Sequence, residues 1–207
     1  RLVRETLRDD LRLATRLRRL TDDYDIDRNA FTNKAVDPAR LIFGNAEYVK
    51  DGLLPIVELM GETVWFDRGR ELVEDLVALA PVETRFGKIP SDGAEVNGDM
   101  LQNLCRYHAA TGDPKFREMA FRIADAYFLD ALPKCNDLPC HHWDFAAGKP
   151  KQDLLSLCDH GNEIVFGLSE AVVLAHATDK ERAPKYIAAM KRLVDKLLAQ
   201  SGAFSIG

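Results

Sequence analysis

Three times this chain pairs a helix that is apolar on more than one face with a second helix that is apolar along one stripe. The striped helices carry Trp65, Leu72, Val73, Leu76 and Val77, then Phe116, Met119, Ala120, Ile123, Ala124, Tyr127 and Phe128, then Tyr186, Ala189, Met190, Leu193, Val194, Leu197 and Leu198. Spacings of three, four and seven put each set on one side of a helix, where it buries a single stripe against a neighbour. Their partners differ. Ile164-Val165-Phe166-Gly167-Leu168 and Ala171-Val172-Val173-Leu174-Ala175 are apolar nearly all round, and a helix of that kind belongs inside. An inner helix followed by an outer one, repeated, predicts an all-α fold of helical hairpins at approximately 38–80, 97–132 and 160–200.

Local punctuation agrees with these spans. Asp37-Pro38 supplies an N-cap and a proline suited to a first helical turn, Gly61 and Pro81 end helices, and Pro55 predicts a kink. Gly112 closes the helix before Asp113-Pro114 opens the next, and Ser201-Gly202 breaks the last one. The loop 81–95, with Gly87, Pro90 and Ser91-Asp92-Gly93, is expected to hold a short hairpin. The segment 133–158 is long and rich in Pro, Cys, His and Trp, a profile expected of a functional loop. Residues 1–21 read as one more helix, dense in Arg, with Leu7, Leu11, Ala14 and Leu17 on its apolar face and a solvated basic face opposite.

Composition narrows the function. A formal charge of −5 argues against a nucleic-acid partner. No apolar run reaches the roughly 20 residues that cross a bilayer, so no membrane partner is expected. Cys105 reads as a small buried hydrophobe, whereas Cys135 and Cys140 share a loop and are placed for a local disulfide if the protein is exported. The compartment stays open between secretion, a periplasm and the cytoplasm. Cys135, Cys140, His141 and His142 are ligand types suited to zinc. Their Cys-x4-Cys spacing and adjacent histidines fill one tetrahedron awkwardly, so neither a metal nor another cofactor is expected.

Carboxylates mark the inner helices: Glu47, Asp99 and Glu163 are each read as standing near a helix start. Asp99 and Glu163 share a form, Asn97-Gly98-Asp99 and Gly161-Asn162-Glu163, in which glycine permits a close backbone approach and a polar pair follows. His160 adds a group that exchanges protons near neutral pH. His142-Trp143-Asp144 forms a second cluster, with a flat apolar ring between two hydrogen-bonding groups. The bland counterpart of each is structural: carboxylates that stabilise their own helix dipoles, a capping sequence, and a loop anchored by a buried Trp.

Tyr107-His108-Ala109-Ala110-Thr111-Gly112-Asp113-Pro114-Lys115-Phe116 resembles the inner-to-outer turn of the six-hairpin glycosidase-like toroids, a group of carbohydrate-active enzymes. The resemblance implies an α/α toroid with substrate bound where inner helices begin. Such toroids have about six hairpins, so three hairpins plus a lone outer helix read as one partial domain, 1–207, of a larger α/α barrel whose remainder lies elsewhere. It further implies an oligo- or polysaccharide substrate, with uronic acid as one candidate sugar. In a hydrolase, Asp99 and Glu163 share acid and base work and His160 adjusts protonation. Asn97, Asn162, His142, Trp143, Asp144 and Glu47 line the substrate. In a polysaccharide lyase, Asn162 and Glu163 neutralise the uronate, and His160 or a tyrosine removes the C5 proton. A third reading is a non-catalytic hairpin scaffold or glycan-binding module.

Overall fold

The computed structural model describes residues 24–31, 38–61, 63–152, 155–157 and 161–201. It divides into two compact units, Arg1–Leu79 and Ala80–Gly207. The expected basic helix at 1–21 lies outside the described residues. Helices dominate the rest, as an all-α reading requires. Among the described residues, none is long and apolar enough to cross a membrane.

In the first unit, a two-stranded hairpin, β1 (Tyr24–Asp25) and β2 (Ala30–Phe31), occupies a stretch too polar and too short to announce strands. Helix α1 (Pro38–Glu47) continues without a break through a π-helical segment, Tyr48–Leu53, into α2 (Leu54–Met60). The kink expected at Pro55 takes this form: proline has no N–H to give, and the widened turn ahead of it absorbs the gap without ending the helix. Gly61, left-handed at φ 67°, ends the run, and α3 (Thr63–Leu79) returns along it. Ile42, Ala46, Val49, Leu53 and Val57 stay buried through the change of pitch. This overturns one expectation. Glu47 stands mid-run and exposed, where no unsatisfied N–H groups face it, and not at a helix start.

The second unit opens with the hairpin expected at 81–95, β3 (Val82–Thr84) and β4 (Gly87–Ile89). Helix α4 (Ala94–Thr111) ends at left-handed Gly112, whose N–H bonds the His108 carbonyl at 2.8 Å. Asp113 then caps α5 (Pro114–Ala126), its carboxylate accepting from Lys115 N–H at 3.0 Å. The outer helix runs on through a second π segment, Tyr127–Ala131, and a last turn, Leu132–Lys134. A third hairpin, β5 (His142–Asp144) and β6 (Lys149–Gln152), fills the long loop. Helix α6 (Glu163–Thr178) and α7 (Arg182–Ser201) complete the unit, joined at Asp179, which accepts from the N–H groups of Glu181 and Arg182.

The unit is organised by α4 against α6. A Cβ on Gly98 would lie 2.2 Å from the Glu163 carbonyl carbon, and one on Gly167 would lie 2.6 Å from the Gly98 oxygen and 2.8 Å from Leu101. The helices therefore touch backbone to backbone, and the order of contacts along both chains shows that they run parallel. The α5 stripe is buried throughout. On α7 the stripe is split, with Tyr186, Ala189 and Leu193 buried but Val194 and Leu198 more than a third exposed. Helix α6 is not enclosed all round either: Phe166 and Val173 are 57% and 69% exposed, so its apolar outer side faces water in this chain.

A polar knot ties the outer helices. Asp125, 5% exposed, accepts from Tyr186 Oη at 2.6 Å and from Arg182 at 3.0–3.3 Å. Arg182 also reaches Asp179 at 2.7 Å and lies over the Phe121 ring. Hydrogen bonding to Asp125 pushes the Arg182 pKa further up, while burial and the same carboxylate push Tyr186 up.

Two substitutions test this architecture by chemical denaturation. Gly98→Ala is expected to cost about 3 kcal/mol, the upper end for overpacking, because backbone and not a flexible side chain obstructs the new methyl. Asp125→Ala is expected to cost about 2–3 kcal/mol, discounted from a fully buried pair because Arg182 keeps 38% of its side chain in water.

Candidate functional site

The first turn of α4 is built on side-chain bonds to the loop before it. Ser91 Oγ accepts from Gly93 N–H at 2.9 Å. The Asn97 amide nitrogen donates to the carbonyls of Ser91 and Gly93 at 2.7 and 2.9 Å and lies 3.2 Å from Tyr127 Oη. Two carbonyl acceptors fix which way the amide points. Tyr127 is fully buried at the start of the π segment, and burial pushes its pKa well up, so it is a neutral phenol. Asn97 is likewise fully buried, which overturns its expected contact with substrate. The reason is helical geometry. Gly98 faces α6, and residues on either side of it turn away by about 100° each, Asn97 towards its own loop and Tyr127.

The β5–β6 hairpin docks onto this turn. Ala94 N–H bonds the His141 carbonyl at 2.8 Å, Trp143 N–H bonds the Asp92 carbonyl at 2.9 Å, and Gly93 bridges His142. Asp92 binds the hairpin with both oxygens: Oδ1 lies 3.0 Å from His142 Nδ1, and Oδ2 accepts from Lys151 Nζ at 2.7 Å. Burial, the largest single influence on Asp92, favours its acid form. Bonds from Lys151 and His142 together outweigh it and hold the carboxyl below its ordinary range. His142 is about half exposed. Trp143 is not: at 1% exposure its ring anchors the hairpin and offers no stacking face to a sugar. Asp144 also turns inward to structure, capping the turn through Ala146 and Ala147 N–H at 3.0 and 2.9 Å. Cys135 and Cys140 are thiols and form no disulfide, Cys140 donating to the His142 carbonyl at 3.2 Å.

Glu163 opens α6, one turn along from the start of α4 and against Gly98. Its Oε2 and the Asn162 Oδ1 are buried with no hydrogen-bond partner among the described residues, and Asn162 makes no side-chain cap. Two acceptors stripped of water and left without donors are uncommon in a finished interior. Gly161 does approach another group closely, but that group is the Ser156 carbonyl, 1.9 Å from where a Cβ would stand. Its glycine is needed by the loop and not by a ligand. Asp99, beside Gly98, is 1% exposed, so it is enclosed and not on an open rim.

The second unit thus gathers Asn97, Asp99, Asn162 and Glu163 at the crossing, with His142, Trp143 and Asp144 on the hairpin docked to the same end of α4. Glu47 belongs to the first unit, and His160 lies outside the described residues. Sequence reasoning missed Asp92, Lys151 and Tyr127. Ser91-Asp92-Gly93 was visible only as a turn, and nothing in it names a partner about fifty residues on. No cluster of three or more His, Cys, Asp or Glu side chains suited to a metal ion occurs among the described residues. Comparison with known proteins finds no match to a protein-family model, to a curated protein or to a solved structure.

The depressed Asp92 carboxyl sets a pH dependence. Its contribution to hairpin docking is complete above the ordinary carboxyl value and is lost as pH falls through the lower folded value. Trp143 emission, read in a Trp65→Phe background, is expected to shift as pH drops below about 4. Asp92→Asn should remove that shift, and an unchanged wild-type spectrum down to acid unfolding would show that the ion pair does not hold the hairpin.

Proposed function

We propose that this chain is part of a carbohydrate-active enzyme of the α/α-toroid type that cleaves glycosidic bonds in an oligo- or polysaccharide, uronate-containing substrates included. The observation that carries the reading is the pair of donor-less buried oxygens, Glu163 Oε2 and Asn162 Oδ1, where α6 begins beside its parallel neighbour. Sugar hydroxyls are donors of the right kind for such acceptors. Parallel, touching helices that each continue into an antiparallel outer helix are also the arrangement that successive toroid hairpins need, which supports the wider barrel.

In the hydrolytic form, Glu163, at the start of α6, exchanges the proton with the glycosidic oxygen or water. Asp99, which is enclosed, acts through its charge and not by touching substrate. A second reading, elimination from a uronate, is favoured by one observation: a half-exposed imidazole stands on a carboxylate at the same end of α4. There a base takes the C5 proton, the electron pair forms the C4–C5 double bond, and the C4–O bond breaks. The scaffold reading predicts that these groups serve only the fold.

Glu163→Gln keeps the shape and removes the exchangeable charge. Turnover of a uronate-containing oligosaccharide is expected to fall by about 10²–10⁴-fold with the fold intact by circular dichroism. New reducing ends without ultraviolet absorbance indicate hydrolysis, and a 4,5-unsaturated product indicates elimination. Near-normal turnover in the folded variant would remove Glu163 from the mechanism.

A further inference from the structure

His142 and Asp92 are arranged as more than a surface ion pair. Asp92 receives the Nδ1 side of the ring at 3.0 Å, and its other oxygen is occupied by Lys151 at 2.7 Å. The carboxylate therefore cannot swing away without leaving the ammonium. The ring lies over Gly93, in space that a side chain there would contest: its Cε1 and Nδ1 stand 3.3 and 3.5 Å from the place a Cβ would take. Main-chain bonds on both sides, Ala94 to His141 and Trp143 to Asp92, hold the two backbones in register. The arrangement also dictates proton position. An acceptor carboxylate at Nδ1 requires the proton on that nitrogen in the neutral ring, leaving the lone pair on Nε2. Nε2 makes no hydrogen bond among the described residues, and the side chain is 51% exposed.

We propose that His142 is a proton acceptor of the site through Nε2, with Asp92 as the positioning residue that fixes its tautomer and Lys151 as the group that fixes Asp92. The proposal deepens the carbohydrate reading above and rests on it for the identity of the substrate. In the step, Nε2 takes the C5 proton, whose C–H electron pair becomes the C4–C5 double bond as the C4–O bond breaks. Alternatively it takes a water proton, whose O–H pair stays on the oxygen that bonds the anomeric carbon as the glycosidic C–O bond breaks. Asp92 stabilises the imidazolium, which returns the proton to the departing oxygen. The charged groups that act on the pair are Asp92 from the loop before α4, Lys151 from β6, and Asp144 from the histidine's own strand.

The test uses the whole chain, with imidazole ¹⁵N resonances assigned through His142→Gln. In its neutral form, wild-type His142 is expected to be a single Nδ1–H tautomer, and isosteric Asp92→Asn should abolish that state. Carbethoxylation of His142 by diethyl pyrocarbonate, mapped by mass spectrometry, should slow in the same variant. A wild-type Nε2–H tautomer, or one unmoved by Asp92→Asn, overturns the proposal.

Turnover separates the two claims. Loss of about 10²-fold or more in His142→Gln, with the rate's acid limb displaced in Asp92→Asn, supports the role. Unchanged turnover in His142→Gln, where Glu163→Gln is inactive, overturns it and leaves the enzyme reading standing. If the wild type turns over no glycan while Glu163 is intact, the carbohydrate reading fails. The dyad is then decided by tautomer and carbethoxylation alone.

Discussion

The second unit depends on one contact, the place where α4 and α6 meet with no side chain between them. Gly98 and Gly167 let two helical backbones close to a distance that any Cβ would forbid. Everything near the site takes its position from that approach. Glu163 begins α6 against Gly98, and Asn97 is turned towards the loop and Tyr127. The hairpin then docks on the turn that Asn97 braces. Dispersion between closely packed backbones is modest atom by atom and large in sum, so the contact both locates and stabilises.

Where the outer helices meet, the solution is polar. Asp125 collects Tyr186 and Arg182, and Arg182 reaches on to the Asp179 cap, so a single buried carboxylate links α5 to the turn that starts α7. A carboxylate so enclosed is tolerable because all its charge is answered by donors. The two contacts therefore divide labour: bare backbone fixes spacing at one, and a hydrogen-bonded ion pair fixes orientation at the other.

Periodicity carried most of the helical framework in the sequence. The stripe from Phe116 to Phe128 is buried almost as written, and Gly61, Gly112 and Asp113-Pro114 mark real ends. Three kinds of information were not local enough to read. Pitch changes at Tyr48 and Tyr127 leave the hydrophobic spacing nearly intact and so hide the π segments. A glycine before a polar pair signals close approach but not to what: Gly98 meets a helix and Gly161 meets Ser156. A tryptophan between hydrogen-bonding residues is equally suited to a sugar face or a buried anchor, and only the docked hairpin decides for Trp143. Exposure on α6 was misjudged for a related reason, since an apolar surface shows that a partner is wanted and not that this chain supplies it.

The glycine crossing also decides which part of the site can yield. Helices already in backbone contact have no softer layer to compress and no side chains to rearrange, so the floor under Glu163 behaves as a rigid body. The hairpin docked on the start of α4 is held by a few main-chain bonds and by Asp92, His142 and Lys151, all reached by water. Compliance is therefore concentrated in β5–β6, and any tilt of that hairpin costs the contacts that orient the imidazole.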